Sequence, residues 1–407
     1  MTATPPPEAA AAHVLIVDDL EVNRDLLARR VRRLGHAIGF AASGREALAR
    51  LRETGFDLVL LDITMPDMDG YEALAQIKAD PRLAPIPVVM VTAIDGVDSV
   101  VRCLELGAED YITKPFNPVV LRARIESSLN KKRVADLNAR LLASLSREMS
   151  IAQRIQRGFL PDALPQLPGW PIAASCTPAR HVGGDFFDVL VLPGGELALT
   201  VADVCDKGVG AALYMALFRS LLRIGLQQAA PGRTPARMLE HAVGITNEYV
   251  AVEHGRDNMF ATVFAAILDP LTGRLDYINA GHDAPWLWRH GSAGAEPLPA
   301  EGLALGALPG QVHQARSVLM RPGDRLLAFT DGLTEATSVA GEAFGEPRVL
   351  AGLGAEAATP HALLEGLRQA VDRHVGEHPA HDDLTLLCLF AAPAPAGCKP
   401  AARGGSL

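Results

Sequence analysis

The sequence predicts two folded domains of different class joined by a helix: a parallel α/β domain over residues 13–128, a helical segment over 129–165, and an α+β domain with mainly antiparallel sheets over 170–391. Three observations predict this. Short apolar runs alternate with helical stretches in the first third of the chain. The next segment shows no strand pattern and repeats leucine every fourth residue. After Trp170, β-like runs return in a cluster that two helical stretches interrupt. A chain of 407 residues is too long for one ordinary core, at roughly 100–200 residues per domain.

The elements follow in chain order. HVLIVDD (13–19) reads as a buried strand ending in acids, and RDLLARRVRRLG (24–35) as an amphipathic helix stopped by Gly35. FDLVLLDITMPDMDG (56–70) is a second buried strand with an acidic end, and PIPVVMVTA and EDYITKPF supply two more strand ends. Strands alternating with helices imply a parallel sheet whose ligands gather at the carboxyl ends of its strands. Leu137, Leu141, Leu145 and Met149, followed by Ile155 and Phe159, mark a long amphipathic helix that Pro161, Pro165 and Pro168 terminate. Such a helix is either a spacer or a coiled-coil-like element pairing two copies of the chain. Beyond it, ELALTVADV, MFATVFAAILD, RLDYINA, DRLLAFTDG and DLTLLCLF read as strands, and AALYMALFRSLLRIGLQQ and ARMLEHAVGITNEYV as helices. The Pro, Ala and Gly-rich end of the chain, 392–407, reads as disordered.

Composition narrows the function. The chain is 49% hydrophobic and 21% charged with a net charge of −9, a balance that gives no electrostatic reason to expect nucleic acid or an anionic membrane. Its five cysteines are scattered and form no CxxC spacing, so neither a disulfide framework nor a zinc site is expected. MTATPPPEAAAA lacks the basic start and apolar core of a secretory leader, and no uninterrupted apolar run reaches roughly 18–20 residues. A cytoplasmic location is the expectation.

In the first domain Asp18 and Asp19 close one strand, Asp62 another, Thr92 another, and Lys114 the last, just before Pro115. A parallel sheet brings these ends to one edge. Three carboxylates there repel one another unless a hard divalent cation neutralises them, and oxygen ligands suit Mg²⁺. Lys114 can balance an incoming phosphoryl group. VDD, LLDITMPDMDG, VTA and DYITKPF resemble the response-regulator receiver domain. That resemblance implies a flavodoxin-like (βα)₅ fold in which Asp62 accepts a phosphoryl group from a histidine kinase. It also implies Mg²⁺ held by Asp19, Asp62 and the backbone of Thr64 with Asp18 assisting, Thr92 and Lys114 on the phosphoryl oxygens, and Tyr111 as the switch residue.

In the second domain Asp185, Asp203, Asp331 and the pair Asp382 and Asp383 each sit at the edge of a β-like run, most beside a glycine such as Gly184. Glycine lets backbone approach a ligand closely, and carboxylates at several strand ends can converge on hard cations, here two. His181, His282 and His381 lie beside these motifs as candidate general acids. Cys205 has no CxxxxxR cradle after it and is not read as a nucleophile. VGGDFFD, VADVCDKGVGAALYMA, NMFATVF, INAGHDAP, LAFTDGLTEA and DDLTLL resemble the metal-dependent serine/threonine phosphatases of the PP2C type, in the SpoIIE/RsbU-like branch of sporulation and stress-response regulators. The resemblance implies a β-sandwich flanked by helices, with Mn²⁺ or Mg²⁺ on Asp185, Asp203, Asp331 and Asp382. It further implies a phosphorylated STAS-type anti-anti-sigma factor as substrate in a partner-switching pathway. SREMSIAQRIQRGFLP resembles the switching helix that precedes the catalytic domain in such regulators. The chain departs from the family's DVSGKG at Cys205 and Asp206, and Asp206 is costly if that position needs positive φ. A rival expectation is an adaptor with an inactive phosphatase-like domain.

Overall fold

The computed structural model describes residues 11–93, 97–228, 232–292, 294–378 and 381–392; the expected disordered tail lies outside them from residue 393 on. The described chain divides into two compact units, residues 1–145 and 146–407.

In the first unit β1 (His13–Val17), α1 (Glu21–Arg33), β2 (Ala37–Ala41), α2 (Gly44–Glu53), β3 (Leu58–Asp62), α3 (Gly70–Ala79), β4 (Val88–Thr92), α4 (Val97–Glu105) and β5 (Asp110–Thr113) alternate. The strands form one parallel sheet in the order β2-β1-β3-β4-β5. Its two faces feed two separate cores: on β3, Val59 and Leu61 join one while Leu58 and Leu60 join the other. Burial on both faces is why these strands read as continuous apolar runs and not as alternating ones. Helix ends follow local chemistry: Ser43 caps α2 by accepting from Glu46 N at 3.2 Å, and Asp69 with Glu72 forms a capping box on α3. Gly35, at φ +83°, turns the chain after α1. The flavodoxin-like (βα)₅ architecture is the one the receiver motifs imply.

Helix α5 (Pro118–Arg157) begins in the first unit, where Leu121, Ile125 and Leu129 are buried in its core. It continues without a break to Arg157, so the helix starts earlier than the 129–165 segment read from sequence. Val134, Leu137, Leu141, Leu142, Leu145, Ile151 and Ile155 along it are exposed.

The second unit contains β6 (Ile172–Thr177), β7 (Phe186–Val191), β8 (Leu197–Val204), α6 (Val209–Gln227), α7 (Pro235–Glu253), β9 (Ala261–Leu268), β10 (Arg274–Ala280), β11 (Trp286–Trp288), β12 (Ala295–Pro297), β13 (Arg316–Leu319), β14 (Arg325–Phe329), α8 (Gly345–Gly354), α9 (Pro360–Val375) and β15 (Leu384–Phe390). Two antiparallel sheets, β13-β10-β9-β8-β7 and β12-β11-β14-β15-β6, pack face to face. Phe187, Leu199, Val201 and Phe264 of the first sheet meet Leu326, Ala328, Leu387 and Leu389 of the second in one core. The outer face of the first sheet is covered by α6 and α7, through Phe218, Leu222, Leu239 and Val243. The outer face of the second is covered by α8 and α9, through Val349, Leu363 and Leu367. This is a β-sandwich flanked by helices.

Sequence reading recognised α6 and α7 but not α8 and α9. Helix α8 is short with three glycines, and Pro360 at the start of α9 reads as a breaker although it occupies a helix first turn. Helix α6 is also long and apolar enough to cross a membrane by length and composition. Its Arg219 and Arg223 instead reach the buried Asp188 of β7 at 2.9 and 2.7 Å, and its apolar face packs on the outer face of the first sheet.

Candidate metal centres

The parallel sheet delivers Asp18, Asp19, Asp62, Thr92 and Lys114 to the same strand ends, as expected of this topology. Asp18, Asp19 and Asp62 each place a carboxylate oxygen within 4.8 Å of the others. Asp18 and Asp62 are buried, and Lys114 Nζ bridges them at 2.8 and 2.9 Å. Asp18 is further fixed by Asn23 Nδ2 at 3.0 Å and by Leu20 N at 2.9 Å, while Arg24 donates to the Asp18 carbonyl at 2.7 Å. Sequence reading did not single out Asn23 or Arg24; both sit in the first turns of the helix after the acidic pair. Burial raises Asp62, the Lys114 ammonium opposes that shift, and the Asp18 charge adds to it. Thr92 is buried at the end of β4, and its carbonyl accepts from Lys114 N at 2.6 Å. Thr64 is exposed two residues past Asp62, and Tyr111 on β5 is half-buried against the core. Three convergent oxygen donors beside a single ammonium fit a hard divalent cation.

The second group is built at the ends of β7, β8, β14 and β15. Asp185 is buried just before β7, and Thr330 Oγ1 donates to its Oδ2 at 2.6 Å while accepting from Thr385 N at 3.0 Å. Asp203, near the end of β8, lies beside Asp185, and the two carboxyls influence each other's ionisation. Burial, joined by the Asp203 charge, holds Asp185 well above the usual carboxylate range. Burial, reinforced by the Asp331 charge, pushes Asp203 up to about 7. Burial and the Asp382 charge raise Asp331 to about 6. Asp382 is half-buried and faces Lys207 Nζ at 2.8 Å, and the same ammonium donates to the His381 carbonyl at 3.0 Å.

The four carboxylates thus form a row of neighbours. Among the described residues only the first group brings three ligand atoms within 4.8 Å of one another. Asp185, Asp203 and Asp331, raised by burial and by neighbouring carboxylates, with Asp382 beside them, are the donor set that two hard cations would neutralise, since two ions about 3.5–4 Å apart need an extended set of oxygens.

Asp383 has a different task from its neighbour. Its Oδ1 accepts from Ala179 N and its Oδ2 from Gly184 N, both at 2.8 Å, so both carboxylate oxygens are engaged in holding the 179–185 loop. Both glycines of that loop are steric requirements: a Cβ on Gly183 would lie 1.9 Å from Asp383 Oδ2, and one on Gly184 2.6 Å from the Val204 carbonyl. Gln156, in the last turn of α5, donates to the Gly183 carbonyl at 2.6 Å and accepts from Gly183 N at 3.1 Å. Sequence reading missed Gln156, Lys207 and Thr330. Of these, Lys207 and Thr330 are adjacent to the recognised motif acids, and Gln156 lies within SREMSIAQRIQRGFLP, the segment read as resembling a switching helix, without being singled out there.

His282 is buried, with Nδ1 2.9 Å from Thr262 Oγ1, and burial lowers it to about 4. A value that low leaves it without the imidazolium proton at pH 7 that a general acid would give up. His181 and His381 are exposed. Burial also raises the Cys205 thiol, whose sulfur accepts from Phe260 N at 3.2 Å. Asp206 does adopt positive φ, +72°, and its own Oδ1 accepts from Lys207 N at 2.8 Å, a local bond that offsets part of the strain.

Residues 14–126 match the response regulator receiver domain, and residues 193–391 match the family Stage II sporulation protein E (SpoIIE). The chain is 37% identical over 263 residues to Protein IcfG of Synechocystis sp., a match covering 60% of this chain and 41% of that protein. It is 40% identical over 126 residues to Response regulator PleD of Caulobacter vibrioides, covering 31% of this chain and 28% of that protein. The chain therefore spans about half or less of the length of these curated relatives. The SiaA-PP2C domain of Pseudomonas aeruginosa shares the fold at 21% identity and a TM-score of 0.51, over 61% of this chain and 98% of that one.

Proposed function

We propose that this chain, which joins a response regulator receiver domain to a SpoIIE-type domain of PP2C fold, is a metal-dependent protein serine/threonine phosphatase controlled by phosphorylation of Asp62. The observation that carries the catalytic half is the row Asp185, Asp203, Asp331 and Asp382, in which burial and mutual repulsion raise three members and Lys207 faces the fourth. These four residues would hold two Mn²⁺ or Mg²⁺ ions, which lower the pKa of water and offset charge developing on a phosphoryl group. Thr330 orients the Asp185 carboxylate, Asp383 fixes the loop that carries it, and Lys207 with the neighbouring Arg180 presents positive charge to the substrate anion.

In the receiver, Asp62 takes the phosphoryl group from a histidine kinase, Asp18, Asp19 and Thr64 would help it hold Mg²⁺, and Thr92 and Lys114 receive the new anion. Tyr111 reports the change on the opposite side of β5. Output reaches the phosphatase through α5, whose Gln156 grips Gly183 two residues before Asp185. The exposed apolar residues of α5 support pairing with a second copy. The substrate class is a phosphoprotein, with a phosphorylated STAS-type anti-anti-sigma factor in a cytoplasmic partner-switching pathway as the specific reading.

A second reading, an adaptor with an inactive phosphatase-like domain, is favoured by the strained Asp206 in the DVCDKG turn. Mn²⁺-dependent hydrolysis of a phosphoserine protein separates the two. The wild-type chain should turn substrate over at least about a hundredfold faster than Asp331→Ala, and acetyl phosphate should alter the rate in the wild type but not in Asp62→Ala. Equal rates for wild type and Asp331→Ala leave the adaptor.

A further inference from the structure

On the outer face of the β14–β15 sheet, helix α9 and the loop after β14 enclose a cavity of about 500 Å³. Asp382 and Gly332 line it, so it shares a wall with the second carboxylate group. Ala336, Val371, Val375 and Leu384 give its lining an apolar part. Arg368 on the lining is paired with Glu365 and Asp372, at 2.8 and 3.0 Å, and Glu335, Thr337 and His378 add polar groups, so the apolar side chains form one patch within a mixed lining.

We propose that this cavity receives an apolar side chain of the phosphoprotein substrate, located one or two residues from the phosphorylated residue. This rests on the phosphatase reading of the neighbouring carboxylates. A phosphoserine keeps its phosphorus close to its own backbone, so a phosphate seated against Asp382 brings the flanking chain to the cavity mouth. Successive residues of an extended peptide advance about 3.3 Å each, which puts a near neighbour's side chain at the apolar walls. The cavity volume falls within the range of small-molecule sites, enough for one large aliphatic or aromatic side chain and its adjoining backbone. Continuity with Asp382 favours a substrate segment over a second copy of the chain.

The test uses fluorescein-labelled peptides in which a non-hydrolysable phosphonomethylalanine replaces phosphoserine, with leucine or glycine at the two positions on either side. Each is titrated with the full chain in Mn²⁺ and followed by anisotropy. A leucine peptide should bind about tenfold more tightly than its glycine counterpart, the discrimination expected from burying one aliphatic side chain. Val375→Trp and Thr337→Trp each fill part of the cavity with an indole, and each should reduce that preference to about twofold or less. Equal affinities in the wild type, or a preference that survives both fillings, overturns the proposal. So does a change in sedimentation with the preference intact, which assigns the cavity to contact between copies. Hydrolysis of p-nitrophenyl phosphate, too small to reach the cavity, reads the phosphatase assignment separately: no turnover with the leucine preference intact removes that assignment and leaves the cavity's role standing.

Discussion

Asp382 and Asp383 are adjacent and chemically alike, yet the backbone divides their work: one side chain faces Lys207 across the carboxylate row, and the other is consumed by the amides of Ala179 and Gly184. Nothing in the dipeptide distinguishes them, because the partners of Asp383 lie about two hundred residues away and only the sandwich brings them close. His282 shows the same dependence on context. Its folded value of about 4 lies below the ordinary 6.5, so on acidification the unfolded chain takes up that proton first. The stability it contributes is complete above pH 6.5 and is lost as pH falls towards 4, a difference of about 3 kcal/mol. Denaturant titrations at pH 7.5 and pH 5 should show about 2 kcal/mol of that loss in the wild type and little of it in His282→Gln. An identical pH slope in both proteins would locate the acid sensitivity in another group.

Among elements, legibility followed burial. Strands β1, β3, β8 and β15 are covered on both faces and declare themselves as largely apolar runs, with Asp18, Asp62 and Asp203 at the carboxyl ends of the first three and Asp382 just ahead of β15. Strands β11 and β12 have three residues each, and no periodicity exists over that length. Gln156 was invisible for another reason: its helix reads as an exposed amphipathic rod, and its partner is a main-chain amide rather than a complementary side chain. Replacing Gln156 with alanine leaves the N–H and C=O of Gly183 without their partner, at a cost of about 1–3 kcal/mol. Since Gln156 holds Gly183 while Asp383 holds the next residue, Gly184, the variant should lose at least about tenfold in kcat for p-nitrophenyl phosphate with a smaller change in KM. A parallel fall in thermal stability with unchanged kcat would reduce Gln156 to a scaffold residue.

For the whole molecule, each unit owns its cores and its cluster of acids, and α5 is the covalent element common to both. From Val119 to Arg157 this helix contains neither glycine nor proline, so it has no built-in joint where a twist could dissipate. The consequence concerns phase rather than distance. Each inserted residue turns everything beyond it by about 100° while adding only about 1.5 Å, and seven residues return to within about 20° of the starting angle. Alanine insertions after Ala143 should therefore make the response to acetyl phosphate vanish at two residues and return at seven, and a response that simply fades with insert length would mean the helix acts as a tether.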